Sequence, residues 1–286
     1  MSEKQWDQWR DEILTTVGSI QFKTEPFYHF YCEPFLPAEM YNLLECFWLN
    51  DKCFWGQQEI ADAPLHHKEA NLRKVVILDD TPGFAKTPDE IKFWENFREL
   101  IKGPVLQNAM IEKSINYITE VRTDLNMRTI KSWSNALLET DSNGFQLGPH
   151  VDAQHCLMSF LLYLPPKNGM NNLGTSIFKP KEEFLDKNPN LLEEFSTDYF
   201  DEQDFDEIFR APYRPNSLFG IINEPRAFHG VKELEHLKFG RRHILWSITN
   251  KEDNPYPSAL GRIKKGITPE NQRVKNRLEE FMAQKY

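Results

Sequence analysis

The stretch that decides the reading runs from residue 148 to residue 166, GPHVDAQHCLMSFLLYLPP. It begins with a turn signal, Gly148-Pro149. It then sets an imidazole and a carboxylate two residues apart, His150 and Asp152. From Cys156 to Leu164 it is apolar, and it stops at Pro165-Pro166. A short apolar run bounded by turn residues reads as a buried strand. In an extended segment, residues two apart face the same way, so His150 and Asp152 can present two ligand types to one ion.

Other short runs flank this one. Residues 129–138, 175–178, 217–222 and 243–248 are strand candidates separated by Asn, Gly and Pro. Such a series predicts an antiparallel barrel or jelly roll. Upstream the pattern is helical. Residues 3–15 are amphipathic, and Pro37 opens a segment with Met40, Leu43, Leu44, Phe47 and Trp48 on one side. Thr87 and Glu90 form a capping pair ahead of Phe93, Trp94, Phe97 and Leu100, and a further helix is predicted over about 104–118. Short strands are expected at 26–31 and 73–78. A last helix is expected from Thr268, with Val274, Leu278, Phe281 and Met282 on its apolar face, as a docking or dimer contact. The expected fold class is therefore mainly β with flanking helices (α+β), in one domain over 1–286. Residues 1–128 form a mostly helical support, 129–250 the β core, and 251–286 a helical extension.

Composition agrees with a folded protein. Of 286 residues 40% are hydrophobic and 27% charged, with 21 Phe and 7 Trp. No apolar run approaches the roughly 18 residues of a membrane helix. The N-terminus, MSEKQWDQWRDEI, has no apolar signal core. Four cysteines, Cys32, Cys46, Cys53 and Cys156, lack CxxC spacing and read as reduced thiols of a cytoplasmic protein. The net charge of −9 argues against nucleic acid and anionic membranes as partners. That charge is concentrated: residues 181–209 hold eleven acids against two bases. A solvated surface insertion is the plain reading of this stretch, and a lid beside an active site is the other.

A second histidine completes a chemistry. His229 lies in Ala227-Phe-His-Gly-Val231, beyond the 217–222 strand, and Arg241-Arg242 opens the last strand. Two histidines and one carboxylate make a facial triad with open positions, the arrangement that non-haem Fe(II) uses to hold a chelating co-substrate and O2. His150 or His229 taken singly reads equally well as a capping or core histidine. His155, three residues after Asp152, also permits a zinc-like HxDxxH reading. His66-His67 reads as a surface pair, and His236 and His243 read as structural.

In its order of GPHVDAQHCLMSFLLYLP, GTSIF, NSLFGIINEPRAFHGV and GRRHILWSI, the sequence resembles the Fe(II)- and 2-oxoglutarate-dependent dioxygenases over about 26–250. The similarity is to the prolyl-hydroxylase-like branch, with a double-stranded β-helix (cupin-like) core. A fainter similarity is to bacterial surface-glycan enzymes that hydroxylate the sugar Kdo. The resemblance implies His150, Asp152 and His229 as catalytic iron ligands, and Fe(II), 2-oxoglutarate and O2 as cofactor and co-substrates. It also implies an arginine at the start of the last strand for the far carboxylate of 2-oxoglutarate, where a guanidinium's planar fork suits a carboxylate. Arg242 shares a face with Ile244, Trp246 and Ile248; Arg241 shares one with His243, Leu245 and Ser247. The first set looks more like a lined interior, which favours Arg242 over Arg241. Tyr163 matches a position where related enzymes place a hydroxyl near the same carboxylate. Asn135, on the preceding strand, is a further candidate facing the iron. Related halogenases lack the carboxylate, so Asp152 favours hydroxylation. The implied function is hydroxylation of a small molecule, sugar or glycolipid with release of succinate and CO2. The alternative is a cupin-like metal-dependent isomerase or sugar-binding protein, which has no need of that arginine.

Overall fold

A computed structural model of the protein describes residues 1–56, 72–166, 171–196 and 198–250. Its centre is strand β6, Cys156–Tyr163, in which all eight residues are buried. Burial on both faces explains why this strand is apolar throughout rather than alternating. It lies in a seven-stranded sheet of order β1-β9-β6-β11-β4-β3-β2. The other members are β1 (His29–Cys32), β2 (Trp55–Gly56), β3 (Arg73–Ile77), β4 (Trp133–Asp141), β9 (Ser217–Ile222) and β11 (Arg241–Thr249). A second sheet has the order β5-β10-β7-β8, from β5 (Leu147–His150), β7 (Ser176–Pro180), β8 (Phe205–Arg210) and β10 (His229–Val231). Every described pairing is antiparallel. From β4 to β7 the polypeptide switches sheet at each strand, and it does so again from β8 to β11.

The period of two along β6 sorts its side chains into two cores. Met158, Phe160 and Leu162 join Ile244, Trp246 and Ile248 in a cluster shared with the helices. Leu161 and Tyr163 join Phe219, Ile221, Ile177 and Val231 in a cluster between the sheets. The large sheet is thus covered by helices on one face and by the small sheet on the other.

The helices are α1 (Glu3–Ser19), α2 (Ala38–Cys46), α3 (Thr81–Phe84), α4 (Pro88–Lys102), α5 (Pro104–Val121) and α6 (Glu182–Lys187). The Thr87 hydroxyl accepts from the Glu90 amide at 3.2 Å, which caps α4 as its sequence anticipates. Glu90 in turn accepts from the Lys86 amide at 2.7 Å. Phe93, Trp94, Phe97 and Ile101 of α4 are buried, and the Phe93 and Phe97 rings stack with centroids 5.7 Å apart.

Four strands escape a reading by apolar runs, the two-residue β2 among them. β5 and β10 are four and three residues long and contain Gly. β8 lies inside the acidic 181–209 stretch, which is therefore not wholly an insertion. It is an edge of the small sheet, and its acids are the exposed Asp206 and the partly exposed Glu207. The strand expected from 129 begins at Trp133, because the backbone at 126–130 is occupied by a turn closed on Asn126. The C-terminal helix expected after Thr268, with its dimer contact, lies outside the described residues. All four cysteines are free thiols. Among the described residues no helix is long and apolar enough to cross a membrane.

Phe97 is fully buried among aromatic neighbours. Phe97→Ala is expected to lower the unfolding free energy by about 3–5 kcal/mol, read from denaturant titration with an unchanged m-value.

Candidate metal centre

His150 ends β5 and His229 begins β10, and the two are paired across the small sheet. Asp152 follows two residues after His150. The three side chains bring one ligand atom each to within 4.8 Å of one another. His229 Nε2 lies 3.8 Å from Asp152 Oδ1, and the two imidazole centroids are 4.4 Å apart. His155, despite its sequence proximity, is outside this group.

Both rings are oriented by the same device. His150 Nδ1 donates to the Gly148 carbonyl at 3.0 Å, and His229 Nδ1 donates to the Ala227 carbonyl at 2.9 Å. A carbonyl only accepts, so Nδ1 carries the proton and Nε2 keeps its lone pair for a metal. Asp152 is fixed similarly: the Ser159 hydroxyl donates to its Oδ2, which leaves Oδ1 towards the histidines. Burial opposes ionisation of Asp152, but the neighbouring His229 and His150 and the Ser159 hydroxyl outweigh it, so the carboxyl sits below its ordinary range.

Two residues without a sequence signature hold the turn that carries Asp152. The Asn223 amide, just beyond β9, donates to the carbonyls of Asp152, Ala153 and Cys156 at 3.2, 3.0 and 3.1 Å. The buried Arg122, at the end of α5, donates to the carbonyls of Gln154 and Cys156 at 2.8 and 3.0 Å and pairs with Asp124. Each lies far from the turn in sequence, and only the fold brings it there. The acidic stretch also reaches the site. The Tyr199 ring stacks on His150 with centroids 4.7 Å apart, and the Phe200 amide donates to the Pro149 carbonyl at 2.9 Å. Phe184, Phe195 and Phe200 pack around Val151, Phe178, Phe205 and Phe228. A Cβ on Gly148 would lie 2.4 Å from the Phe200 carbonyl oxygen, so this approach requires glycine.

A cavity of about 280 Å³ opens beside Asp152, lined by Ser159, Leu245, Ser247, Asn135 and Leu137 among others. This is the face of β11 that carries Arg241, His243, Leu245 and Ser247. Arg242 lies on the opposite face, where its guanidinium carbon is 5.9 Å from the Trp48 ring centroid. The period-two sorting of the arginine pair is correct. The apolar lining of Arg242's face belongs to the helix–sheet core, and that face is turned away from the metal ligands.

Arg241 is fully buried in a charged group at the far end of the space between the sheets. Its Nη1 donates to Asp141 at 2.7 Å, and its Nη2 lies 3.4 Å from the Thr175 hydroxyl. The Tyr163 hydroxyl donates to Thr175 Oγ1 at 2.9 Å and accepts from the Thr175 amide at 3.0 Å. Arg73 pairs with Asp141 at 2.6 Å and with Glu139 at 3.2 Å. His243 Nδ1 accepts from Arg241 at 3.3 Å, while its Nε2 donates to Glu139 at 2.7 Å. Burial and the charge of Arg241 hold His243 neutral. Burial opposes ionisation of Asp141, but Arg73, His243 and Arg241 bring it down to about 2. Two guanidinium cations thus face two carboxylates around a neutral imidazole.

No protein-family model matches the sequence, and no curated protein matches it. Solved structures do. A prolyl hydroxylase from Trichoplax adhaerens, in complex with a hypoxia-inducible-factor oxygen-degradation-domain peptide, has a TM-score of 0.45 at 11% identity, covering 86% of this protein and 91% of its own length. A Pseudomonas putida prolyl-4-hydroxylase has 0.43 at 9%, covering 85% and 99%. A Burkholderia pseudomallei oxidoreductase has 0.41 at 9%, covering 87% and 94%. The last belongs to the 2-oxoglutarate–Fe(II) oxygenase family, the group that the motifs of this sequence resemble.

Asn223→Ala removes all three bonds to the Asp152 turn and is expected to weaken divalent-metal binding by about 10–100-fold, measured by calorimetry, with the circular dichroism spectrum retained. Acid is expected to destabilise the protein in two stages. His243 is neutral when folded, so stability is lost as pH falls below the ordinary imidazole value of about 6.5. Asp141 is depressed, so its contribution is present above about pH 4 and is lost as pH falls towards 2. Denaturant titrations from pH 8 to pH 3 read both stages, and His243→Gln should shrink the first.

Proposed function

We propose that the protein is an Fe(II)- and 2-oxoglutarate-dependent oxygenase that hydroxylates an unactivated C–H bond of a small molecule. The observation that carries this reading is the convergence of two Nε2 atoms and one carboxylate oxygen beside an open cavity. A closed structural metal site has a full ligand set, whereas three protein ligands of this type suit Fe(II) and leave positions for other ligands. A double-stranded β-helix is the reading of the core that the alternation of β4–β11 between two sheets supports. The whole of 1–286 is read as one oxygenase domain.

The residues fit both groups. His150, Asp152 and His229 would hold the iron. Arg241, with the Tyr163 and Thr175 hydroxyls, would hold the far carboxylate of 2-oxoglutarate. Asp141 engages Nη1 of Arg241 and the Leu173 carbonyl engages Nε, which leaves Nη2 beside the two hydroxyls. Arg242 has no part in this assignment. When bound, the iron and co-substrate supply the oxidation: O2 gives one oxygen atom to the new C–OH bond and one to succinate, and 2-oxoglutarate loses CO2. The protein's own work is positional. The carbonyls of Gly148 and Ala227 keep the ligating nitrogens unprotonated, Ser159 turns Asp152, and Leu161, Leu245 and Ile177 belong to the apolar lining between the sheets. Tyr199 and the segment around it cover His150 and act as a lid.

Anaerobic titration of the Fe(II)-loaded protein with 2-oxoglutarate tests this. A visible charge-transfer band is expected, lost in His150→Ala and Asp152→Ala. Arg241→Ala is expected to weaken 2-oxoglutarate by at least about tenfold, the scale of a lost charged hydrogen bond, whereas Arg242→Ala leaves it within about twofold. Bound iron with no band on adding 2-oxoglutarate would favour the cupin-like isomerase or sugar-binding reading.

A further inference from the structure

The cavity beside Asp152 has a polar end that the metal and co-substrate leave unused. Ser159, Ser247 and Asn135 stand opposite one another on the three adjacent strands β6, β11 and β4. They form a row across a wall that Ile77, Leu137, Leu245, His155 and Thr249 also line. Ser159 is committed to Asp152. The side chains of Ser247 and Asn135 make no hydrogen bond among the described residues, although both line the cavity. Two interstrand steps of about 4.8 Å put Asn135 roughly 10 Å from Ser159. At that end the cavity is closed by an ion pair, Lys102 Nζ with Asp79 Oδ2, whose side chains are 23% and 31% exposed. A second cavity, of about 390 Å³, adjoins from the side of Gln107, Ser132 and Trp133 and shares Lys102 and Asn135.

We propose that this end recognises the α-carboxylate and α-ammonium groups of a free α-amino acid, with Lys102 and Asn135 on the carboxylate and Asp79 on the ammonium. The proposal rests on the oxygenase reading and names its substrate class. Charge balance carries it. A partly exposed ion pair is worth little and opens easily. A lone anion that took Lys102 would leave Asp79 without its counter-charge, and a lone cation would do the same to Lys102. A neutral sugar could hydrogen-bond to the pair but would bring no counter-charge to either member. A zwitterion gives each of the two charges a new counter-charge. At about 280 Å³ the cavity is at the small end for ligand pockets, which suits an amino acid and not a glycolipid or a folded partner. With the α-groups at Lys102 and Asp79, the side group of the amino acid points along the Asn135–Ser247–Ser159 row to Asp152. The bond oxidised is therefore a C–H bond of that side group, not the one at the α-carbon.

The test is calorimetric titration of the full-length protein, loaded anaerobically with Fe(II) and 2-oxoglutarate, with each free α-amino acid, its α-amide and its N-acetyl form. At least one amino acid is expected to bind, and its amide and N-acetyl forms at least about tenfold more weakly. Lys102→Gln should abolish the preference for acid over amide, and Asp79→Asn the preference for amine over N-acetyl. Each variant's circular dichroism establishes that it is folded. No binding by protein that has taken up 2-oxoglutarate, or equal binding of acid and amide, overturns the proposal. Failure to take up 2-oxoglutarate counts against the oxygenase reading instead. The same titration of the metal-free protein then decides the amino-acid site separately.

Discussion

Two backbone carbonyls govern the site. An imidazole can offer either nitrogen to a metal, and a free ring would sample both tautomers. Here the Gly148 and Ala227 carbonyls take the Nδ1 protons, so both rings present Nε2 to one point. Those carbonyls are placed by the small sheet, in which His150 and His229 are direct partners. The small sheet is placed in turn by the apolar layer it shares with the inner faces of β6 and β9. The ligand geometry therefore inherits the rigidity of a packed sheet.

The same layer separates two kinds of polar group. Asp152 is close to the surface, anchored by Ser159, Asn223 and Arg122. The Arg241–Asp141 group is fully enclosed, and each of its charges has a counter-charge within hydrogen-bond range. Removing one member would strand another, a larger cost than the pairing itself is worth. The remaining edge of the Arg241 guanidinium faces the Thr175 hydroxyl, so the whole group is held in one arrangement.

Much of this was legible in the sequence. Apolar runs marked β6 and β9, the Thr87–Glu90 pair marked the start of α4, and the His-x-Asp and Phe-His-Gly-Val segments marked residues that the fold brings within 4.8 Å. Period two sorted Arg241 from Arg242 correctly. It could not say which side of β11 met the ligands, because both sides are lined by buried residues and only the placement of the helices decides. Asn223 and Arg122 have no signal for this role, since their partners Asp152, Ala153 and Cys156 lie far off in sequence. β8 was hidden by its acids, which an edge strand exposes.

The placement of the ion can be seen outright in an anomalous difference map, recorded at the iron edge from crystals grown anaerobically with Fe(II). One strong peak is expected, bounded by His150 Nε2, Asp152 Oδ1 and His229 Nε2, with Nδ1 of both rings still on the Gly148 and Ala227 carbonyls. Iron bound through an Nδ1 atom, or at other residues with the triad empty, would refute the ligand set and the role given to the two carbonyls.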